Sequence, residues 1–343
     1  MENKTVVKEQ LNPSRIMQVG LGFWASKTLL SAVNMGLFTL LAKEESSGET
    51  IKKKLDLHQR GLYDFLDTLV ALNFLKRTGI KESATYANTE ETNLFLDKEK
   101  PSYIGGMLEL SNNRLYRFWD TLEDGLKTGE PQNGDISIFE DVYADQQKLK
   151  EFLKAMEGLQ SSNFKMLIQK FDFSNYKTLC DIGGSSGHLA IQIAKNNIHM
   201  RTTIFDLPPL EILAKENILS HQLSDRVSFQ TGDFFKDEFS ESDVITMGNV
   251  LHNWGLEDKK MLIQKAYDAL PNEGALIVIE NIIDDNRKTN AFGLMMSLQM
   301  LMETPAGFDF TAADFNIWVR EIGFSQVSTM PLTGNTSAVI AIK

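Results

Sequence analysis

The sequence holds one cysteine, Cys180, in 343 residues. No intramolecular disulfide and no thiolate metal cluster can be built from it. Histidine is also scarce: His58, His188, His199, His221 and His252 are scattered singly. With no His/Cys cluster and no acidic ligand pattern, no catalytic metal is expected. Basic residues are outnumbered, 35 Lys and Arg against 46 Asp and Glu, for a formal charge of −11. That balance disfavours nucleic acid, whose non-specific binding needs cations to displace counterions. No run of about 18 apolar residues is available to span a membrane, and the opening MENKTVVKEQLNPSR is too polar for a signal peptide. A cytoplasmic protein without a membrane partner is the resulting expectation. Repeats and low-complexity tracts are absent as well.

What is present suits a globular chain with a substantial core: 42% hydrophobic and 24% charged residues. The length allows two domains. Residues 1–100 carry 14 basic and 13 acidic side chains, so nearly all of the negative charge lies beyond them. From Ile16 to Ala42 apolar residues recur at helical spacing. SSGETIKKKLDL reads as a short capped helix and RGLYDFLDTLVALNFLKR as an amphipathic one. Two strand-like runs around a turn follow in LKRTGIKESATYANTE, suggesting a winged helix. The expected division is 1–102 for this region, 103–170 for a mainly helical link, and 171–343 for the rest.

From Tyr176 strand-like and helix-like runs alternate: KTLCDIG, HLAIQIAKNN, RTTIFDL, PPLEILAKENIL, RVSFQTGD, SDVITM, DKKMLIQKAYDAL, ALIVIEN. Alternation of this kind marks a doubly wound α/β sheet. FSQVSTMPLTGNTSAVIAIK then reads as two strands around a turn at Thr333–Asn335, which pair antiparallel. The predicted fold is therefore α/β, a mostly parallel sheet with a C-terminal antiparallel hairpin, preceded by a mainly helical domain.

Three loops follow three of these strands. DIGGSSG places Asp181, Gly183, Gly184 and Gly187 before a helix N-terminus, where the backbone can approach a ligand closely. IFDLP places Asp206 and Leu207 where a ribose would present its hydroxyls, and GDFF places Asp233 and Phe234 within reach of an adenine. Ligands of open α/β sheets lie beyond the carboxyl ends of strands, so the three loops should be neighbours. A dinucleotide site would read G-x-G-x-x-G, whereas this one reads G-G-S-S-G.

DIGGSSG, IFDLP, GDFF, NVLHNW and VIEN, in this order before a terminal hairpin, resemble the two-domain class I O-methyltransferases. That group includes plant phenylpropanoid, acetylserotonin and bacterial natural-product enzymes. The resemblance covers essentially the whole chain. It implies a Rossmann-like methyltransferase domain, S-adenosylmethionine as cofactor with S-adenosylhomocysteine as product, and a homodimer formed through a winged-helix-like N-terminal domain. Asp206 would bind ribose, Asp233 and Phe234 adenine, and the glycine loop the methionine portion, with Gly248 and Asn249 alongside. The chain departs from plant members at Gly248, where they carry Lys, and at Asn253, where the family has Asp.

Methyl transfer to a hydroxyl is positional chemistry that also requires a proton to leave. His252, just past the strand ending at Met247, is the candidate base. Ionising a phenol fully onto histidine would cost roughly 5 kcal/mol, so proton removal is expected to accompany transfer. The resemblance adds Glu280 and Asp309 as carboxylates orienting the imidazole. Trp119, Phe152, Met156, Leu159, Asn253, Met295 and Met296 are candidate substrate contacts, although methionines at helical spacing also serve as adaptable core. The family also lets a partner's N-terminal residue enter the pocket, with Met17, Phe23 and Trp24 as candidates. The expected activity is methylation of a phenolic or enolic hydroxyl on a small aromatic or polyketide-like molecule. Alternatives are a nicotinamide-dependent oxidoreductase, or a winged-helix ligand sensor to which Lys52, Lys53 and Lys54 would lend a little positive charge.

Overall fold

The computed structural model describes residues 11–133 and 146–343, and the chain divides into two compact units, residues 1–116 and 117–343. The first unit is mainly helical. Helices Ser14–Gly20, Gly22–Asn34 and Leu37–Lys43 follow one another, and Ser47 caps the helix Gly48–Leu55 by accepting the Thr50 amide at 3.2 Å. Helix Leu62–Ala71 buries Leu62, Leu66 and Leu69, one stripe at helical spacing. Strands β2 (Leu75–Thr78) and β3 (Thr85–Asn88) pair antiparallel, with Arg77 opposite Tyr86. A third strand, β1 (Ser46–Ser47), adds to β3, completing a small sheet of order β1-β3-β2. Asp67 ties this sheet to the helix beneath, accepting from the Tyr86 hydroxyl at 2.9 Å and pairing with Arg77 at 2.8 Å.

The second unit is built on seven strands: β4 (Thr178–Ile182), β5 (Arg201–Asp206), β6 (Val227–Thr231), β7 (Val244–Gly248), β8 (Ala275–Glu280), β9 (Gln326–Pro331) and β10 (Ser337–Ile342). Their order is β6-β5-β4-β7-β8-β10-β9, with the first five parallel. β10 runs antiparallel to both β8 and β9, so the terminal hairpin places its last strand inside the sheet. Every residue of β8 is buried, as strands covered on both faces require. Strand order reverses between β4 and β7, which puts a crevice at their carboxyl ends.

The contacts divide the chain at one point, after Tyr116, where the sequence suggested three parts. Helix Gly105–Leu110 and the π-turn Ser111–Leu115 pack on helix Gly22–Asn34, while helix Leu122–Thr128 packs on helix Ala291–Glu303 and helix Gln146–Lys170 on helix His188–Asn196. A helix-rich linking stretch therefore shares its members between two cores.

Candidate active site

The ends of β4 and β5 are tied together by backbone amides and one carboxylate. β4 ends in a loop where Gly183, Ser185 and Gly187 all take positive φ. A side chain at Gly187 would be strained by its φ of +81° and would also meet Ile204 Cδ1 at 2.2 Å. Asp206, the last residue of β5, accepts the Ser185 amide at 2.8 Å and the Leu207 amide at 2.7 Å, one on each oxygen. It thereby joins the glycine loop to the neighbouring strand end. Burial raises its pKa to about 6, against the two amides, which lower it. Asp181 faces a different way. It accepts the Thr246 hydroxyl at 2.6 Å across the β4–β7 pair, and desolvation raises it to about 7.

The third loop, after β6, is held by its own side-chain contacts. Asp233 accepts the Phe235 amide at 2.9 Å and pairs with Lys236 at 2.8 Å, contacts that lower its pKa. Its carboxylate is committed to its own turn. Phe234 packs against Phe235 and Trp254, with ring centres 4.8 and 5.7 Å away. The Trp254 indole nitrogen is buried and has no hydrogen-bond partner among the described residues. At Gly248 an added Cβ would meet only Phe164, at 3.9 Å. The next residue, Asn249, turns the chain with a φ of +53° and donates its amide to Ile279. Amides around a buried strand-end carboxylate, an orphaned indole donor and free space above Gly248 fit an adenosyl cofactor.

His252 lies in the short turn Leu251–Asn253 after β7, and Glu280 ends β8, the parallel neighbour of β7. Their adjacency follows from this register. The imidazole Nδ1 stands 2.9 Å from Glu280 Oε2 and 3.8 Å from Asp309 Oδ1. The Glu280 contact is at ion-pair distance, with an angle short of a well-aligned hydrogen bond. The His252 amide also donates to Glu280 Oε1 at 3.3 Å. Asp309 arrives from a loop that a bridge between Ile283 and Thr311 pins beside the end of β8. Thr311 and Asp314 form a reciprocal capping box that starts the helix Ala312–Ile322 immediately afterwards. Gly307 lets this loop lie against the histidine turn: a Cβ there would be 2.7 Å from the His252 carbonyl oxygen.

All three groups are buried. Desolvation opposes charge on the imidazole, yet the Glu280 and Asp309 charges outweigh it, and the His252 pKa is raised. Desolvation raises the Asp309 pKa, against the opposing pull of His252 and Lys259. With Nδ1 turned to the carboxylates, Nε2 is the nitrogen left to exchange a proton with a ligand.

The remaining sequence-derived candidates divide. Trp119 donates its indole N–H to Gln299 Oε1 at 2.5 Å, joining the segment after Arg117 to the methionine-bearing helix Ala291–Glu303. Met296 is half-buried on that helix, while Met295 is exposed. Phe152 packs elsewhere, beside Leu149, Leu153 and Leu210 near the end of β5, and Leu159 is exposed. Met156 is half-buried on the same long helix. Asn253 spends its amide on the Asn249 and Val250 carbonyls and so braces the histidine turn. His188 begins the helix after the glycine loop, as its position suggested, and pairs with Glu157 at 2.8 Å. Gln299 and Trp254 escaped the sequence reading. Gln299 carries a buried, unpartnered Nε2 among the described residues. A lone Gln within a Met-rich run gives no pattern to notice, whereas Trp254 stands inside the NVLHNW motif.

A mostly parallel sheet closed by an inserted antiparallel strand, with a glycine loop and a buried carboxylate at neighbouring strand ends, is the architecture of the S-adenosylmethionine-dependent methyltransferase class. Comparison with known proteins carries this further. The family model for the O-methyltransferase domain matches residues 119–325, and that for the O-methyltransferase dimerisation domain matches residues 17–98. The chain belongs to this family and is an S-adenosylmethionine-dependent O-methyltransferase. It is 36% identical to the tetracenomycin polyketide synthesis 8-O-methyl transferase TcmO of Streptomyces glaucescens, over 96% of this chain and 97% of the relative. It is 29% identical to the N,N-dimethyltransferase OxyT of Streptomyces rimosus, over 90% of each chain. Human N-acetylserotonin methyltransferase in complex with S-adenosylmethionine superposes with a TM-score of 0.89 at 26% identity, covering 99% of both chains.

Proposed function

We propose that this enzyme methylates a phenolic or enolic hydroxyl on a small aromatic or polyketide-like molecule, with His252 as general base. The His252–Glu280 contact at 2.9 Å carries the reading. Bound S-adenosylmethionine supplies an electrophilic methyl group on a sulfonium. The protein then has to position the acceptor and remove its proton. Nε2 of His252 takes the hydroxyl proton, and Glu280 stabilises the imidazolium that results. Asp309 adds a second negative field at 3.8 Å. On the cofactor side, Asp206 would hold the ribose hydroxyls, the glycine loop the amino-acid portion, and Phe234 with Trp254 the base. Asp181 acts behind the loop by fixing its strand to β7. Trp119, Gln299 and Met296 form the wall facing the acceptor.

The acceptor class is supported by TcmO, whose name assigns it an 8-O-methyl transfer in polyketide synthesis. The dimerisation-domain match supports a homodimer. The acceptor atom is tested by screening hydroxylated anthraquinones and naphthoates beside aromatic amines, with transfer to the hydroxylated set expected. His252→Gln should retain S-adenosylhomocysteine binding in calorimetry and lose about 10²–10⁴-fold in kcat. Turnover close to wild type in that variant would remove the general-base assignment. Preferential transfer to the amines, the atom named in OxyT, would redirect the function to nitrogen.

A further inference from the structure

Lys259 is a cation with no exposed surface. It sits in the first turns of helix Leu256–Ala269, directly after the histidine turn. Its Nζ donates to the Trp254 carbonyl and lies 3.5 Å from the centre of the Phe308 ring and 5.9 Å from that of Phe310. Phe308 and Phe310 flank Asp309 in the sequence. One carbonyl and two ring faces are a thin replacement for water around an ammonium. Burial works against the ammonium, and the negative charges of Glu280 from β8, Asp309 from its loop and Asp258 from its own helix favour it. The imidazole of His252 feels the ammonium in return.

We propose that Lys259 is the counter-cation of the His252–Glu280–Asp309 cluster, a positioning residue whose charge offsets the two carboxyl groups beside the imidazole and holds its basicity down. The proposal rests on His252 being the base. In the microstate with Lys259 charged, both carboxyl groups ionised and His252 neutral, the net charge is −1, and protonating His252 brings it to zero. Without the ammonium the same states carry −2 and −1, so the cluster binds its first proton more tightly. A base already protonated at working pH cannot accept the hydroxyl proton. Burial holds Lys259 at about 8, so the cation persists through neutral pH and fades above it.

The decisive experiment follows the His252 resonance in full-length protein labelled with 13C at histidine Cε1, without any acceptor. The signal is identified by its loss in His252→Gln. Lys259→Met and Lys259→Gln should each raise the His252 midpoint by about one pH unit. Lys259→Arg, which keeps the charge, should leave it near the wild-type value. Lys259→Gln can still donate to the Trp254 carbonyl, so a purely structural role would leave its midpoint unmoved. An unmoved midpoint in both neutral variants, or an equal displacement with arginine, would overturn the proposal. Should neither neutral variant fold, the wild-type resonance decides: it should show a second, smaller step at alkaline pH as the ammonium deprotonates, and a flat trace there refutes the coupling. No turnover is read, so the result is independent of the methylation assay.

Discussion

Two carboxyl groups near the carboxyl ends of the strands titrate above their ordinary range because burial disfavours their charge: Asp181 at about 7 and Asp206 at about 6. Each has a folded-state pKa above its unfolded value near 4. Their contribution to stability is therefore fully present below about pH 4 and is lost as pH rises through 6 to 7. Asp181→Asn isolates one of them, since an amide oxygen can still accept the Thr246 hydroxyl. The variant should melt a few degrees above wild type at pH 8, an effect on the order of 1–2 kcal/mol, and match it at pH 4. Equal melting temperatures at both pH values would show that Asp181 carries no strain of this kind. Single residues were also where the sequence was read unevenly. His252 stood out because it lies just past a strand end, whereas Glu280 and Asp309 came only from what the family resemblance implies. Lys259 lies in LEDKK, where charges at consecutive positions read as a solvated helix face, and nothing local announces that one of them turns inward.

Strands and loops were more legible than their partnering. Alternating apolar runs with a glycine loop located β4 to β8, and the turn at Thr333–Asn335 located the final hairpin. That β10 inserts between β8 and β9 could not be read, because its neighbours are chosen by packing between distant segments. β1 is only two residues long and has no period to detect. The loop carrying Asp309 shows how an element-level constraint governs chemistry. Gly307 allows backbone-to-backbone contact with the histidine turn, since a Cβ would sit 2.7 Å from the His252 oxygen and 2.8 Å from the Asn253 carbonyl carbon. Gly307→Ala must displace that loop and carry Asp309 away from the imidazole. We expect kcat to fall roughly tenfold or more with S-adenosylhomocysteine affinity unchanged. Gly187→Ala should act oppositely, abolishing cofactor binding, because its φ and the Ile204 contact both reject a methyl group. Calorimetry beside steady-state kinetics separates the two, and a Gly307 variant that loses cofactor affinity would contradict this division of labour.

For the molecule as a whole, large exposed apolar side chains gather on the first two helices of the first unit. Ile16, Met17, Val19, Phe23 and Trp24 are all exposed on its first two helices. Phe23 and Trp24 also line an open groove of about 400 Å³ with Lys27, Phe65 and Tyr116. The dimerisation-domain match spans residues 17–98, and so covers most of this face. A second copy of the chain is the occupant that accounts for both the exposure and the match. In sedimentation the wild type is expected at twice the 38.7 kDa chain mass. Val19→Asp and Trp24→Asp each force a charge into an apolar contact and should shift the population towards the single-chain mass, with little loss of helical circular dichroism. Where a neighbouring copy's N-terminal residue completes the acceptor pocket, dissociation should raise KM for the acceptor and leave S-adenosylhomocysteine affinity intact, since the cofactor cradle lies wholly in the second unit. Dimers that persist in both charged variants would move the interface off these helices, and their exposed side chains would then need another explanation.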